Sequence, residues 1–165
     1  MSRAVLSIGS NLGDRAGHLQ SVLDELGDAV TAVSPVYETA PWGGVDQQDF
    51  ANAVLLVADD ARTAADWLAA GQRLEVAAQR VRRVRWGPRS LDVDVVDCDG
   101  QHRADPELTL PHPRAHLRAF VLRPWLDVDP DAVLPGHGPV RDLLAGLDEA
   151  ERAGVRPGAD GLVRR

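Results

Sequence analysis

Two stretches of helical spacing, each set between runs of strand-like alternation, constrain this chain most. Arg3 to Ile8 reads as a strand closed by the turn signal GSNLGD. In DRAGHLQSVLDELGDAV the apolar residues Leu19, Val22, Leu23, Leu26 and Val30 recur at helical spacing, with Asp14 as N-cap and Gly27 as stop. TAVSPVYET reads as extended, PWGGVDQQD as a loop of turn-formers, and FANAVLLVA as a strand antiparallel to that extended segment. From Asp60 the segment ARTAADWLAAGQRLEVAAQR, rich in alanine and leucine and without proline, suits a long helix despite Gly71. LDVDVVDC is the next strand. The order strand, helix, strand, strand, helix, strand is that of an α+β, ferredoxin-like core, an antiparallel sheet with helices packed on it in a single three-layer-type domain. Beyond Gly100 come a short strand at Leu108 to Leu110, a loop with Pro and His, the apolar run AFVLRPWL, and a short helix around Arg141 to Leu147. The 165 residues supply one core and not two, so residues 1–150 are read as one domain and 151–165 as a flexible C-terminal tail.

Charge narrows the chemistry. A net charge of −7 sets the surface as a whole against nucleic acid and anionic membrane, so any basic site is local. All eighteen basic residues are arginine, which leaves planar, bidentate guanidinium as the cationic tool for an anion. The lone Cys98 ends a valine-rich strand and reads as a buried thiol in a reducing compartment. MSRAVLSIGSN is too short in apolar residues for a signal peptide, and AVLLVA falls far below a membrane span. The expectation is a cytoplasmic monomer with no membrane or nucleic-acid partner.

The stretch RWGPRSLDVDVV carries the densest chemical signal. In a strand, Asp92 and Asp94 share one face while Leu91, Val93 and Val95 take the other. Two carboxylates so close repel unless a positive charge lies between them. Just upstream, Arg80, Arg82, Arg83, Arg85 and Arg89 crowd into ten residues. By themselves, an arginine run is a solvated helix end and D-x-D a half-exposed edge strand. Together they form the halves of a metal–polyphosphate site, with carboxylates on octahedral Mg²⁺ and guanidiniums on phosphate oxygens. Two ions about 3.5 to 4 Å apart could share such a pair.

The string RWGPRSLDVDVV, with SIGSNLGDR before it and LTLPHPRAHLRAFVL after it, resembles the 6-hydroxymethyl-7,8-dihydropterin pyrophosphokinase family, from about Val5 to about Leu147. The resemblance implies transfer of diphosphate from ATP to the hydroxymethyl group of 6-hydroxymethyl-7,8-dihydropterin, giving AMP and the pterin diphosphate in folate biosynthesis, with two Mg²⁺ ions. It places Asp92 and Asp94 on the metals, Arg80, Arg82, Arg85, Trp86 and Arg89 in the ATP-binding loop, and His112 and Arg118 on the triphosphate. It also places Gln72 and Glu75 on the nucleotide and Val95 and Thr109 at the adenine, with Arg82, Arg89, Asp92 and Asp94 as the catalytic set. Phe50 and Phe120 are the chain's only two phenylalanines, and the family sandwiches the pterin between these positions. Asn52 would read its edge, Asp92 would border it, Gly9 would lie close to it, and Thr39, Ala40, Pro41 and Trp42 would close over it. The arginine loop is one residue shorter than in some members, Pro113 replaces an aromatic, and Leu117 stands where an acid is common. No protein general base is assigned.

Two rivals remain on sequence grounds. Another Mg-dependent nucleotidyl or phosphoryl transferase could use Gly9-Ser10 and D-x-D, though such motifs normally lie close together. A non-catalytic ferredoxin-like ligand-binding module is the second, and an RNA reader of that kind would need a basic, aromatic face. His18, His102, His116 and His137 read as surface residues without ligand spacing.

Overall fold

The computed structural model describes residues 2–41, 47–78, 90–158 and 161–164. Its frame is the expected βαββαβ unit. Strand β1 (Ser2–Ser10) is almost wholly buried and pairs antiparallel with β4 (Phe50–Asp59) on one side and β5 (Asp92–Cys98) on the other. Helix α1 (Arg15–Leu26) starts where the Asp14 side chain accepts from the Gly17 N–H at 3.0 Å, and stops at Gly27, whose φ of 54° suits a glycine. Val30, expected at the end of this helix, instead opens β2 (Val30–Val33), because the chain has already left helical geometry at Gly27.

TAVSPVYET is extended as expected but broken at Pro35, giving β2 and β3 (Tyr37–Thr39), both antiparallel to β4. Across the break the Ser34 hydroxyl accepts from the Val54 N–H at 2.9 Å, so the sheet edge stays paired. Helix α2 (Ala64–Ala77) opens with a reciprocal capping box between Thr63 and Asp66. Gly71 lies where α2 touches β5: a Cβ there would come within 2.9 Å of Val93 Cγ1, so glycine permits the close approach. The expected long helix tolerates this residue because it needs it.

Helices α1 and α2 cover one sheet face, over a core that includes Leu6, Ile8, Leu19, Leu55, Trp67, Val93 and Val95. The other face packs Val5, Val54 and Val96 against α3 (Ala119–Val128) and α4 (Val140–Ala145). Three layers result, with AFVLRPWL forming the helix of the third. Short pairs β6 (Arg103–Ala104) with β7 (Thr109–Leu110), and β8 (Val133–Leu134) with β9 (Gly138–Pro139), tie the connections.

From 151 on, the described residues contact distant parts of the chain. After α5 (Glu149–Ala153), β10 (Arg156–Pro157) adds an edge strand against β3. Further on, Val163 exchanges two hydrogen bonds with the Gln20 side chain, and Leu162 packs on the main core.

Candidate active site

Strand register assembles the site on the α3 side of the sheet. Tyr37 pairs with Asn52, Asn52 with Gly9, and Gly9 with Asp92, so four strands place these residues in one row. Asp94 pairs with Ser7 on the same face, and both aspartates are half-buried while Val93 and Val95 point into the opposite core. The shared face expected from D-x-D is thus present.

Gly9 leaves little room for a side chain: a Cβ would lie 3.0 Å from Asn52 Oδ1 and 3.8 Å from Phe50 Cδ1. Asn52 is buried, and its Nδ2 donates to Thr39 Oγ1 at 3.0 Å, which turns Oδ1 over Gly9 as an acceptor. Thr39 to Pro41 in turn form one wall of a cavity of about 290 Å³, whose other walls are Phe120 and the α5 segment at Ala150, Glu151, Gly154 and Val155. Phe50 is half-buried beside Gly9.

Arg118 joins the two halves. Its guanidinium carbon lies 5.5 Å from the centroid of the Phe120 ring, and its charge is felt by Asp94 and Asp92. Burial lowers its pKa; the two aspartates oppose that shift and Arg114 adds to it. His112 is pushed down to about 4, first by burial and then by Arg118 and Arg114, so it is neutral at pH 7. Its Nδ1 accepts from the Arg114 N–H at 3.1 Å, which leaves the proton on Nε2 as a donor. The His112 backbone N–H donates to the Val96 carbonyl at 2.8 Å, fixing this loop on the edge of β5.

Other expected residues fare differently. Val95 is buried in the core beneath α1 and α2, and its backbone lies on the edge strand. Glu75 Oε2 accepts from the Val93 N–H at 2.9 Å, tying α2 to β5. Gln72 is exposed on α2 and Thr109 exposed on β7. Trp42, Arg80, Arg82, Arg85, Trp86 and Arg89 lie outside the described residues. His116, expected at the surface, is partly buried and stacks on His137 with ring centroids 4.1 Å apart.

The bracing contacts of the site had no signal in the sequence, although Asn11 and Arg15 lie in the string SIGSNLGDR. Arg15 donates to Glu38 Oε1 at 2.7 Å and to the Asp49 carbonyl at 2.9 Å, clamping both stems of the loop that follows β3. The buried Asn11 donates to Gln47 Oε1 at 2.7 Å. Tyr37 donates to Asp127 of α3, and burial followed by that carboxylate raises the phenol's pKa.

Paired carboxylates on one sheet face, with the half-buried Arg118 guanidinium and the Phe120 ring at the start of α3 over it, suit a transferase of the phosphoryl-transfer class. The family model for 7,8-dihydro-6-hydroxymethylpterin-pyrophosphokinase matches residues 5–130. Curated relatives named 2-amino-4-hydroxy-6-hydroxymethyldihydropteridine pyrophosphokinase include that of Mycobacterium leprae, 54% identical across 94% of this chain and 88% of its own. That of Mycobacterium tuberculosis is 52% identical over 94% and 89%, and that of Pseudomonas aeruginosa 38% over 88% and 91%. The chain belongs to the 7,8-dihydro-6-hydroxymethylpterin-pyrophosphokinase family. Among solved structures, the wild-type Plasmodium falciparum HPPK-DHPS shares the fold, with a TM-score of 0.63 at 14% identity over 87% of this chain. This chain spans 44% of that longer one. Among the described residues no helix is long and apolar enough to cross a membrane.

Proposed function

We propose that the face bearing Asp92, Asp94, Arg118, Asn52 and Phe120 is where this pyrophosphokinase moves diphosphate from ATP to the hydroxymethyl group of 6-hydroxymethyl-7,8-dihydropterin, in folate biosynthesis. The observation that carries this reading is the row Asn52–Gly9–Asp92, which sets an amide acceptor, an open backbone floor and a carboxylate side by side on three strands. Family membership supports the reaction, with ATP as co-substrate.

The donor set suits Mg²⁺. Asp92 and Asp94 are hard oxygen donors on one face, and among the described residues no three His, Cys, Asp or Glu side chains gather as a fuller ligand group. Magnesium, which keeps several water and phosphate ligands, fits so sparse a protein contribution. Two bound ions would draw negative charge from the phosphate oxygens.

The chain's own groups do the rest. Arg118, held beside both aspartates, supplies fixed positive charge where the diphosphate passes, and its desolvation strengthens that effect. Neutral His112 offers its Nε2 proton to a phosphate oxygen without adding charge. Asn52 Oδ1 accepts from the amino and ring N–H groups along a pterin edge, while Phe120 and Phe50 stack on its faces. On the sequence resemblance, Arg80, Arg82, Arg85, Trp86 and Arg89 complete the ATP clamp, Trp42 covers the pterin with Thr39, Ala40 and Pro41, and Gln72, Glu75, Val95 and Thr109 border the nucleotide. Catalysis is then chiefly positioning and charge stabilisation. The acidic surface and buried Cys98 favour a cytoplasmic monomer. The test is product analysis: ATP and the hydroxymethyl pterin must yield AMP and the pterin diphosphate, whereas pyrophosphate release would assign a nucleotidyl transferase, and no turnover with intact ligand binding a binding module.

A further inference from the structure

We infer that Glu151, in the C-terminal segment beyond the 5–130 span of the family model, is a positioning residue for Phe120 and hence for the pterin. The inference rests on the reading of Phe120 as a pterin wall. Helix α3 begins at Ala119, and its N-cap residue, Arg118, makes no side-chain capping bond. The first N–H groups of a helix have no partner within the helix, and an unfixed first turn frays. Here the Ala119 N–H donates to Glu151 Oε1 at 3.2 Å, across 32 residues of sequence. The carboxylate thus serves as a cap from another part of the chain, with its charge at the positive end of the helix.

The neighbours of Ala119 give this cap its consequence. Arg118 and Phe120 flank the bonded N–H, and Phe120 shares one cavity with Glu151 and the Thr39–Pro41 wall. Phe120 is only partly buried, packed at the edge of the second core, so its place follows that of the first turn of α3. Glu151 itself is anchored from the other side. Just downstream Arg156 and Pro157 pair with Glu38 and Tyr37 on β3, the Gly158 N–H donates to the Val36 carbonyl at 2.8 Å, and Arg156 bonds Asp49 at 2.7 Å. One segment therefore links the strand that ends in Thr39 to the turn that carries Phe120, and sets the spacing of the two walls.

The test compares Glu151→Ala, Glu151→Gln and Phe120→Ala, alone and in combination, by steady-state kinetics with each substrate varied and by thermal melting. Glu151→Ala is expected to raise the pterin KM about tenfold, the scale of a lost helix cap. Glu151→Gln keeps an acceptor oxygen and is expected to restore most of that loss. In the Phe120→Ala background, Glu151→Ala is expected to add nothing further to the pterin KM. An unchanged pterin KM in a folded Glu151→Ala protein, equal impairment in both Glu151 variants, or full additivity with Phe120→Ala overturns the inference. If Phe120→Ala alone leaves pterin affinity intact, it is the assignment of the pterin wall that fails.

Discussion

Replacing Gly9 by alanine probes the floor of the site with a single methyl group. Its Cβ would lie 3.0 Å from Asn52 Oδ1, while its next neighbours, the Ala51 carbonyl at 3.7 Å and Phe50 Cδ1 at 3.8 Å, are at ordinary contact. Only Asn52 must move, and by a few tenths of an ångström. It does so against its 3.0 Å bond to Thr39, so the amide swings off its aim. The strand conformation of Gly9 is open to alanine, and reduced freedom of the unfolded chain offsets the crowding, so stability is expected to change by less than about 1 kcal/mol. Losing one well-aimed hydrogen bond costs about 0.5–1.5 kcal/mol, or roughly two- to tenfold in pterin affinity. Calorimetric titration with pterin, in the presence of a non-hydrolysable ATP analogue, reads this directly, with ATP titration as control. Unchanged pterin affinity, or an equal loss for ATP, would refute the reasoning.

Three further outcomes are expected. Phe120→Ala is expected to weaken pterin binding by about 1–3 kcal/mol while sparing ATP in paired titrations, because one stacking face is lost. Gly71→Leu drives a side chain into Val93, already 2.9 Å from a bare Cβ, and is expected to lower stability by about 1–3 kcal/mol in urea unfolding. For His112 the folded pKa of about 4 lies below the unfolded value of 6.5, so the unfolded chain takes up the proton first. Its contribution to stability is whole above pH 6.5 and is lost as pH falls towards 4, and His112→Gln should flatten that part of the stability–pH curve.

The core was legible in the sequence because its two periods differ: Leu19, Val22, Leu23 and Leu26 mark one helix face, and the alternation of Asp92 to Val95 marks two strand faces. That alternation already set the Val95 side chain on the face opposite the aspartates. Contacts between distant segments were not legible. Nothing local to Arg15 names Glu38 or Asp49 as its partners, and nothing around Glu151 points to Ala119. Gly71 looked like a defect in a helix until Val93 stood beside it. The tail, polar and with three glycines and one proline, makes its contacts with β3 and Gln20, which no local pattern announces.

The central claim is that Asp92 and Asp94 work the transfer from one face of β5. Phosphorus NMR of ATP turnover with the hydroxymethyl pterin at saturating Mg²⁺, run on the wild type, Asp92→Asn and Asp94→Asn, tests it most directly. Each variant is expected to keep native circular dichroism and to form AMP and pterin diphosphate about 10²-fold or more slowly, the scale for losing a group that stabilises transition-state charge. Near-normal turnover by either folded variant would contradict the account.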